Sequence, residues 1–182
     1  MTKRGAGLLA IIGAVGLLVV GSVIALGGVQ AGLGGGQRLA LANCAPRYTQ
    51  GAVVHVNLTD RGGMMMGGGS LMMVSVVASP DSVPSGVVTF VATNTGALNH
   101  ELLVLPAPAD GVGTRVVGSD GKIDEAGSLG EASTSCGRGA GKGISPGATS
   151  WVTMRLAPGN YELLCDEPWH YANGMFTGFS VR

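Results

Sequence analysis

The hydrophobic pattern changes character once along the chain. No charged residue occurs from Gly5 to Gln37, and the most apolar part, Ala6 to Gly28, has no polar face. As a helix that part would be roughly 34 Å long, enough to cross a bilayer. Lys3 and Arg4 precede it, so the start is expected on the cytoplasmic side and the remainder outside. The competing reading is a cleaved signal peptide. Ala40-Leu41-Ala42 has the small-x-small form of a cleavage site, but Arg38 separates it from the apolar run. The run also exceeds the usual h-region of about 7–15 residues. An uncleaved single-pass anchor is the preferred reading. The alternative is a secreted or periplasmic protein after cleavage, and both put the rest of the chain outside the cytoplasm.

From Tyr48 onward the period is two. Val54, Val56 and Leu58 alternate with Val53, His55 and Asn57, as in a half-buried strand. Further strands are expected over 71–78, 87–93, 100–105, 151–156, 161–165 and 175–181, punctuated by turns such as Val83-Pro84-Ser85-Gly86 and Ala157-Pro158-Gly159-Asn160. Asp60 to Ser70 reads as a Gly- and Met-rich loop, and Pro106 to Ser150 as a long irregular segment of the kind that is functional or poorly ordered. No long amphipathic helix is visible. The prediction is an all-β Greek-key β-sandwich preceded by an N-terminal transmembrane helix. Its parts are 1–30 as anchor or signal, 31–47 as a Gly-rich linker and 48–182 as the folded domain.

Composition narrows the function. The formal net charge is zero, which argues against a nucleic-acid partner. Three cysteines is an odd number. If Cys165 serves a metal, Cys44 and Cys136 remain, either as a disulfide in an oxidising compartment or as two unpaired small side chains.

The chemistry concentrates in Cys165-Asp-Glu-Pro-Trp-His170-Tyr-Ala-Asn-Gly-Met175. A thiolate, an imidazole and a thioether at this spacing suit copper, whose type 1 sites use two His and one Cys with a weak axial Met. The second His must come from elsewhere, and the chain offers His55 and His100. His55 sits mid-strand and reads as solvated. His100 stands where a turn, Asn94 to Asn99, opens a strand, and loops at one end of a sandwich cluster over the same pole. Singly, a buried Cys or a Met before Phe is usually core. Jointly, spacing, strand-loop-strand context and the upstream His favour a mononuclear copper site. Asn94, Asn99 and Glu101 are candidates to orient the ligands, and Pro168, Trp169, Met154 and Phe176 candidates for apolar cover. Met64, Met65, Met66, Met72 and Met73 form a thioether cluster that reads first as apolar filling, with transient Cu(I) binding or partner docking as alternatives.

On these residues the sequence resembles the cupredoxins, the blue copper proteins, which share the order of an upstream His followed by Cys, His and Met in a C-terminal loop. Plastocyanins have a shorter Cys-to-His spacing. Cys-x4-His-x4-Met is more similar to the sulfocyanin and rusticyanin group, as are Val56-Asn-Leu-Thr-Asp60, the following Gly-Gly-Met-Met-Met-Gly and the N-terminal anchor. The resemblance covers about Gly51 to Arg182. It implies one type 1 copper with His100, Cys165, His170 and Met175 as ligands, and His170 nearer the surface than His100.

A single Cys in the loop excludes a binuclear copper centre, and three His are too few for a trinuclear cluster. Four protein ligands leave no position for a small-molecule substrate, so the expectation is a carrier and not an enzyme. The expected function is one-electron transfer between respiratory redox proteins, a terminal oxidase or cytochrome among them, on the outer face of the membrane. The alternative is an extracytoplasmic copper carrier or metallochaperone.

Overall fold

The computed structural model describes residues 44–64 and 70–182, with the side chains of 44–61 and 73–182 among them. The anchor expected over 1–30, and the linker up to residue 43, lie outside the described residues. So do most of the thioether-cluster side chains. Met73, which is described, is exposed. Among the described residues no helix is long and apolar enough to cross a membrane.

Among the described residues nine strands form two sheets. In order they are β1 (Ala52–Met64), β2 (Ser70–Ser79), β3 (Ser82–Val83), β4 (Gly86–Asn94), β5 (Leu102–Pro106), β6 (Gly130–Ala132), β7 (Thr149–Leu156), β8 (Gly159–Leu164) and β9 (Phe176–Val181). The first sheet has the order β2-β1-β4-β7 and the second β3-β9-β8-β5-β6. The predicted β-sandwich is therefore present. The one helical element among the described residues is a single 3-10 turn, Tyr171–Asn173.

The period-two reading places the core correctly. Val54, Val56 and Leu58 are buried from β1, Val88, Phe90 and Ala92 from β4, and His55 and Asn57 are exposed. Side chains of a strand alternate between faces, so each set packs inward together. Phe90 meets Phe179 of the opposite sheet edge-to-face, with ring centroids 5.2 Å apart. The loop expected over Asp60–Ser70 is corrected at Asp60 to Met64 and at Ser70, which are strand, while 65–69 lie outside the described residues. The β1 strand continues to Met64 and pairs with β2, placing Gly62 opposite Met72 and Met64 opposite Ser70. Ladder hydrogen bonds to an adjacent strand outweigh the weak strand preference of Gly.

The long segment after β5 has a structural task. Leu102 to Leu105 are all buried, because β5 is covered on both faces. On the outer face Leu103 and Leu105 pack with Ile123, Leu164 and Tyr171, and Val117 and Phe176 border the cluster. The buried Glu162 pins this cover. Its Oε2 accepts from Arg115 Nε at 2.6 Å, and its Oε1 from the Gly113 N–H at 2.7 Å and the Tyr171 hydroxyl at 3.0 Å. Cys44 and Cys136 are joined in a disulfide across 92 residues of sequence. That resolves in favour of pairing a question the sequence leaves open.

Candidate metal centre

Two loops meet at one end of the sandwich. The turn after β4 is stapled by Asn94. Its Nδ2 donates to the carbonyls of Leu98 at 2.7 Å and Ile144 at 2.6 Å, and its Oδ1 accepts from Gly96 N–H at 2.8 Å. His100 closes the turn with backbone bonds to and from Ile144 and is fully buried. Asp60, next inward on the face of β1 that carries Val54, Val56 and Leu58, reaches under this turn. Its Oδ1 accepts from the N–H groups of Ala97 at 2.8 Å and Leu98 at 3.0 Å, and lies 2.8 Å from His100 Nε2. Only glycine fits at 96, since a Cβ there would fall 2.0 Å from Asp60 Oδ1.

The second loop follows β8. Cys165 N–H donates to the Met175 carbonyl at 3.1 Å, and Met175 N–H to the His170 carbonyl at 3.1 Å, so the chain folds back on itself. Gly174, at φ 94°, ends the 3-10 turn in the left-handed region that suits glycine. Trp169 takes a positive φ of 69°, which turns His170 inward and leaves the indole 53% exposed. Cys165, Met175 and His170 are all buried, His170 slightly the nearer to solvent of the two histidines.

The donor atoms converge. His170 Nδ1 lies 3.4 Å from Cys165 Sγ and 3.2 Å from His100 Nδ1, and His100 Nδ1 lies 3.9 Å from Sγ. These three atoms fall within 4.8 Å of one another. An ionised carboxylate only accepts hydrogen bonds, so Asp60 places the ring hydrogen of His100 on Nε2 and leaves Nδ1 bare toward the centre. Burial lowers the pKa of both histidines, that of His170 to about 4, against the opposing pull of Asp60 on His100. The His100–Asp60 contact is therefore a neutral-imidazole hydrogen bond at ordinary pH. Burial also works against the Asp60 carboxylate, yet the donors from Leu98, His100 and Ala97 hold it below the usual range. Burial pushes the Cys165 thiol up to about 12, despite the Glu101 N–H donating to Sγ at 3.3 Å. A bare imidazole nitrogen on His100, a second neutral imidazole on His170 and a thiol that ionises only beside a cation are the donor chemistry of a soft metal site.

The expected supporting residues fall out differently from the sequence reading. Asn94 spends its side-chain hydrogen bonds on the turn, at Leu98, Ile144 and Gly96. Glu101 acts on the sulfur through its backbone N–H, while its carboxyl, pushed up to about 7 chiefly by burial, leaves Oε1 without a hydrogen-bond partner. Asn99, Pro168 and Trp169 are exposed, and Phe176 packs with Tyr171 on the outer face of the second sheet. Met154 borders the main core, of which Cys165 and Met175 are themselves members. The residue that sequence reasoning missed is Asp60. The available signal was its parity, an acid continuing the buried face of β1.

An all-β sandwich carrying His, Cys, His and Met at one pole defines a cupredoxin, a blue copper protein, whose cofactor is one type 1 copper. More narrowly, the chain belongs to the sulfocyanin family: the model of the sulfocyanin (SoxE) domain matches residues 73–182. Among solved structures, dithionite-reduced auracyanin from Roseiflexus castenholzii is 22% identical with a TM-score of 0.46, over 72% of this chain and 99% of that one. Rusticyanin from Thiobacillus ferrooxidans is 20% identical with a TM-score of 0.39, over 73% of this chain and 79% of that one. Auracyanin A from Chloroflexus aurantiacus is 16% identical with a TM-score of 0.43, over 72% of this chain and 100% of that one. No curated protein sequence matches the chain.

Proposed function

We propose that the protein carries single electrons between redox proteins, through a copper ion held by His100, Cys165, His170 and Met175. The observation that carries this reading is the convergence of His100 Nδ1, Cys165 Sγ and His170 Nδ1 at a buried point, with Met175 brought back to Cys165 by the backbone. When bound, copper supplies a Cu(II)/Cu(I) couple. The chain's residues supply the rest. Asp60 fixes the tautomer and orientation of His100 through Nε2. The Glu101 N–H steadies the thiolate. The ladder between Cys165 and Met175 holds the loop rigid, and a rigid ligand frame keeps structural change small as charge is gained or lost. Burial of all four side chains excludes water and favours retention of the metal over release, which speaks against the metallochaperone alternative.

The partners proposed are respiratory redox proteins, a terminal oxidase or cytochrome among them, and the role is that of a carrier and not an enzyme. The proposed location is the outer face of the cytoplasmic membrane, with the 1–30 segment as a single-pass anchor, 31–47 as a tether and 48–182 as the copper domain. The uncharged apolar run behind Lys3 and Arg4 supports this, as does the Cys44–Cys136 disulfide, a bond that persists in oxidising compartments.

The test is repeated chemical oxidation and reduction of the copper-loaded full-length protein, with metal content measured after each cycle. The proposal expects reversible cycling with copper retained. Loss of copper on reduction would favour a delivery role and contradict the carrier. Mass spectrometry of the native protein reads the anchor separately: an N-terminus near Asn43 would replace it with a cleaved signal.

A further inference from the structure

A second group of chemistry-bearing side chains lies beside the metal centre and has no part in it. Glu101 follows His100, Asp166 follows Cys165, and Glu125 comes from the long segment after β5. One carboxylate oxygen from each falls within 4.8 Å of the others. Glu101 and Asp166 are 8% and 1% exposed, whereas Glu125 is open to solvent. Ionised carboxylates this close repel one another unless a proton or a cation stands between them. The described partners cover only part of that need. Asp166 Oδ1 accepts from the Ile123 N–H at 2.6 Å, and Lys122 Nζ stands 3.9 Å from Asp166 Oδ2. Lys122 is one positive charge against three carboxylates, and its side chain is 38% exposed. Glu131 and Glu167 add further negative charge around Glu101. Glu101 Oε1 is the one buried side-chain oxygen or nitrogen among the described residues with no hydrogen-bond partner, an orphan acceptor of the kind that a bound ion explains.

We propose that Glu101, Glu125 and Asp166 form a second cation site, which takes a hard divalent ion of the calcium class next to the copper centre. Carboxylate oxygens are hard donors and select such ions over copper. Calcium bonds oxygen at about 2.3–2.6 Å, so ligands on opposite sides of one ion stand up to roughly 5 Å apart. Three oxygens that all lie within 4.8 Å of one another fit inside that span. Solvent-facing Glu125 gives an entry path and leaves room for water to complete the shell. Half-buried Lys122, whose Nζ stands 3.9 Å from Asp166 Oδ2, has room on its solvent side to move as the ion enters. Because Glu101 also donates its N–H to Cys165 Sγ, positive charge at its carboxylate stabilises the reduced centre and raises the reduction potential.

The test is calorimetric titration of the full-length, copper-loaded protein with calcium, magnesium and manganese chlorides in turn. Binding is read directly, so its failure is distinguishable from failure of the electron-transfer reading. One ion per chain is expected, with an affinity in or tighter than the range of about 10⁻⁴ to 10⁻³ M typical of extracellular calcium modules. Glu125→Gln, a change at an exposed position, should weaken binding about tenfold or more. Lys122→Gln should tighten it by removing the competing charge, and Asp110→Asn, elsewhere on the same segment, should leave it alone. Calcium should raise the copper potential in the parent protein and not in Glu125→Gln. No saturable binding up to about 10 mM, beyond the weak end of that range, would overturn the proposal. So would unchanged affinity in Glu125→Gln, or weaker binding in Lys122→Gln, which would make Lys122 a structural counter-ion and not a competitor.

Discussion

Replacing Glu162 by glutamine keeps the size of the side chain and removes its charge. The carboxylate takes Arg115 Nε on one oxygen and both the Gly113 N–H and the Tyr171 hydroxyl on the other. Glu162 is fully buried and the Arg115 side chain is 17% exposed, so water replaces little of what is lost. Breaking a buried pair by neutralising one member costs about 3–5 kcal/mol, largely because the other charge is left without its partner. Arg115 keeps the bond from its Nη2 to the Pro106 carbonyl and its partial exposure, which points to the lower end, about 3 kcal/mol. Against a typical total of about 5–15 kcal/mol, that is a large fraction of the stability. The assay is urea denaturation of the copper-free protein, since a tight cofactor spoils two-state behaviour. A double-mutant cycle with Arg115→Met should give a coupling of about 0.5–3 kcal/mol. Tyr171 adjoins His170, so the variant should also bind copper more weakly than the parent. A loss below about 1 kcal/mol, as for an exposed ion pair, would refute the idea that Glu162 fastens the long segment to the metal loop.

Asp60→Ala should lower copper affinity about 10–100-fold without abolishing it, the range typical of removing a ligand's hydrogen-bond partner; competition with a chelator reads this, and unchanged affinity would remove Asp60 from the account. Met175→Leu should retain copper and raise the reduction potential, because a weak donor to Cu(II) is gone; voltammetry showing a lowered potential, or a copper-free variant, would count against Met175 as a ligand. At pH 7 the Cys165 thiol, raised to about 12, holds its proton, and His170, lowered to about 4, has none. Copper uptake should therefore release the thiol proton, and affinity should fall as pH drops, because protons compete for the sulfur. Uptake in weak buffer that leaves the pH unchanged would contradict this.

The sandwich was legible because its strands are half-buried and alternate plainly, as Val54, Val56 and Leu58 do. The candidate ligands were legible because three of them share one short loop whose order and spacing are chemically restrictive. The supporting groups were not, because they come from far along the chain. Asp60 approaches His100 across 40 residues, and nothing local to either position marks the meeting. Glu101 contributes through its backbone, which its side chain does not advertise. The Pro106–Ser150 segment carries little regular structure of its own, so its role as cover over β5 and β8 appears only once Ile123 and the Arg115–Glu162 pair are seen in place. The continuation of β1 to Met64 was hidden by its glycines, whose low strand preference is overridden by pairing with β2.

The visible absorption spectrum of the copper(II)-loaded full-length protein, recorded beside Cys165→Ser, bears most directly on the central claim. An intense thiolate-to-copper band in the parent protein, absent in Cys165→Ser, is the predicted result. A colourless copper(II) protein, or a band that survives the loss of Cys165, would contradict it.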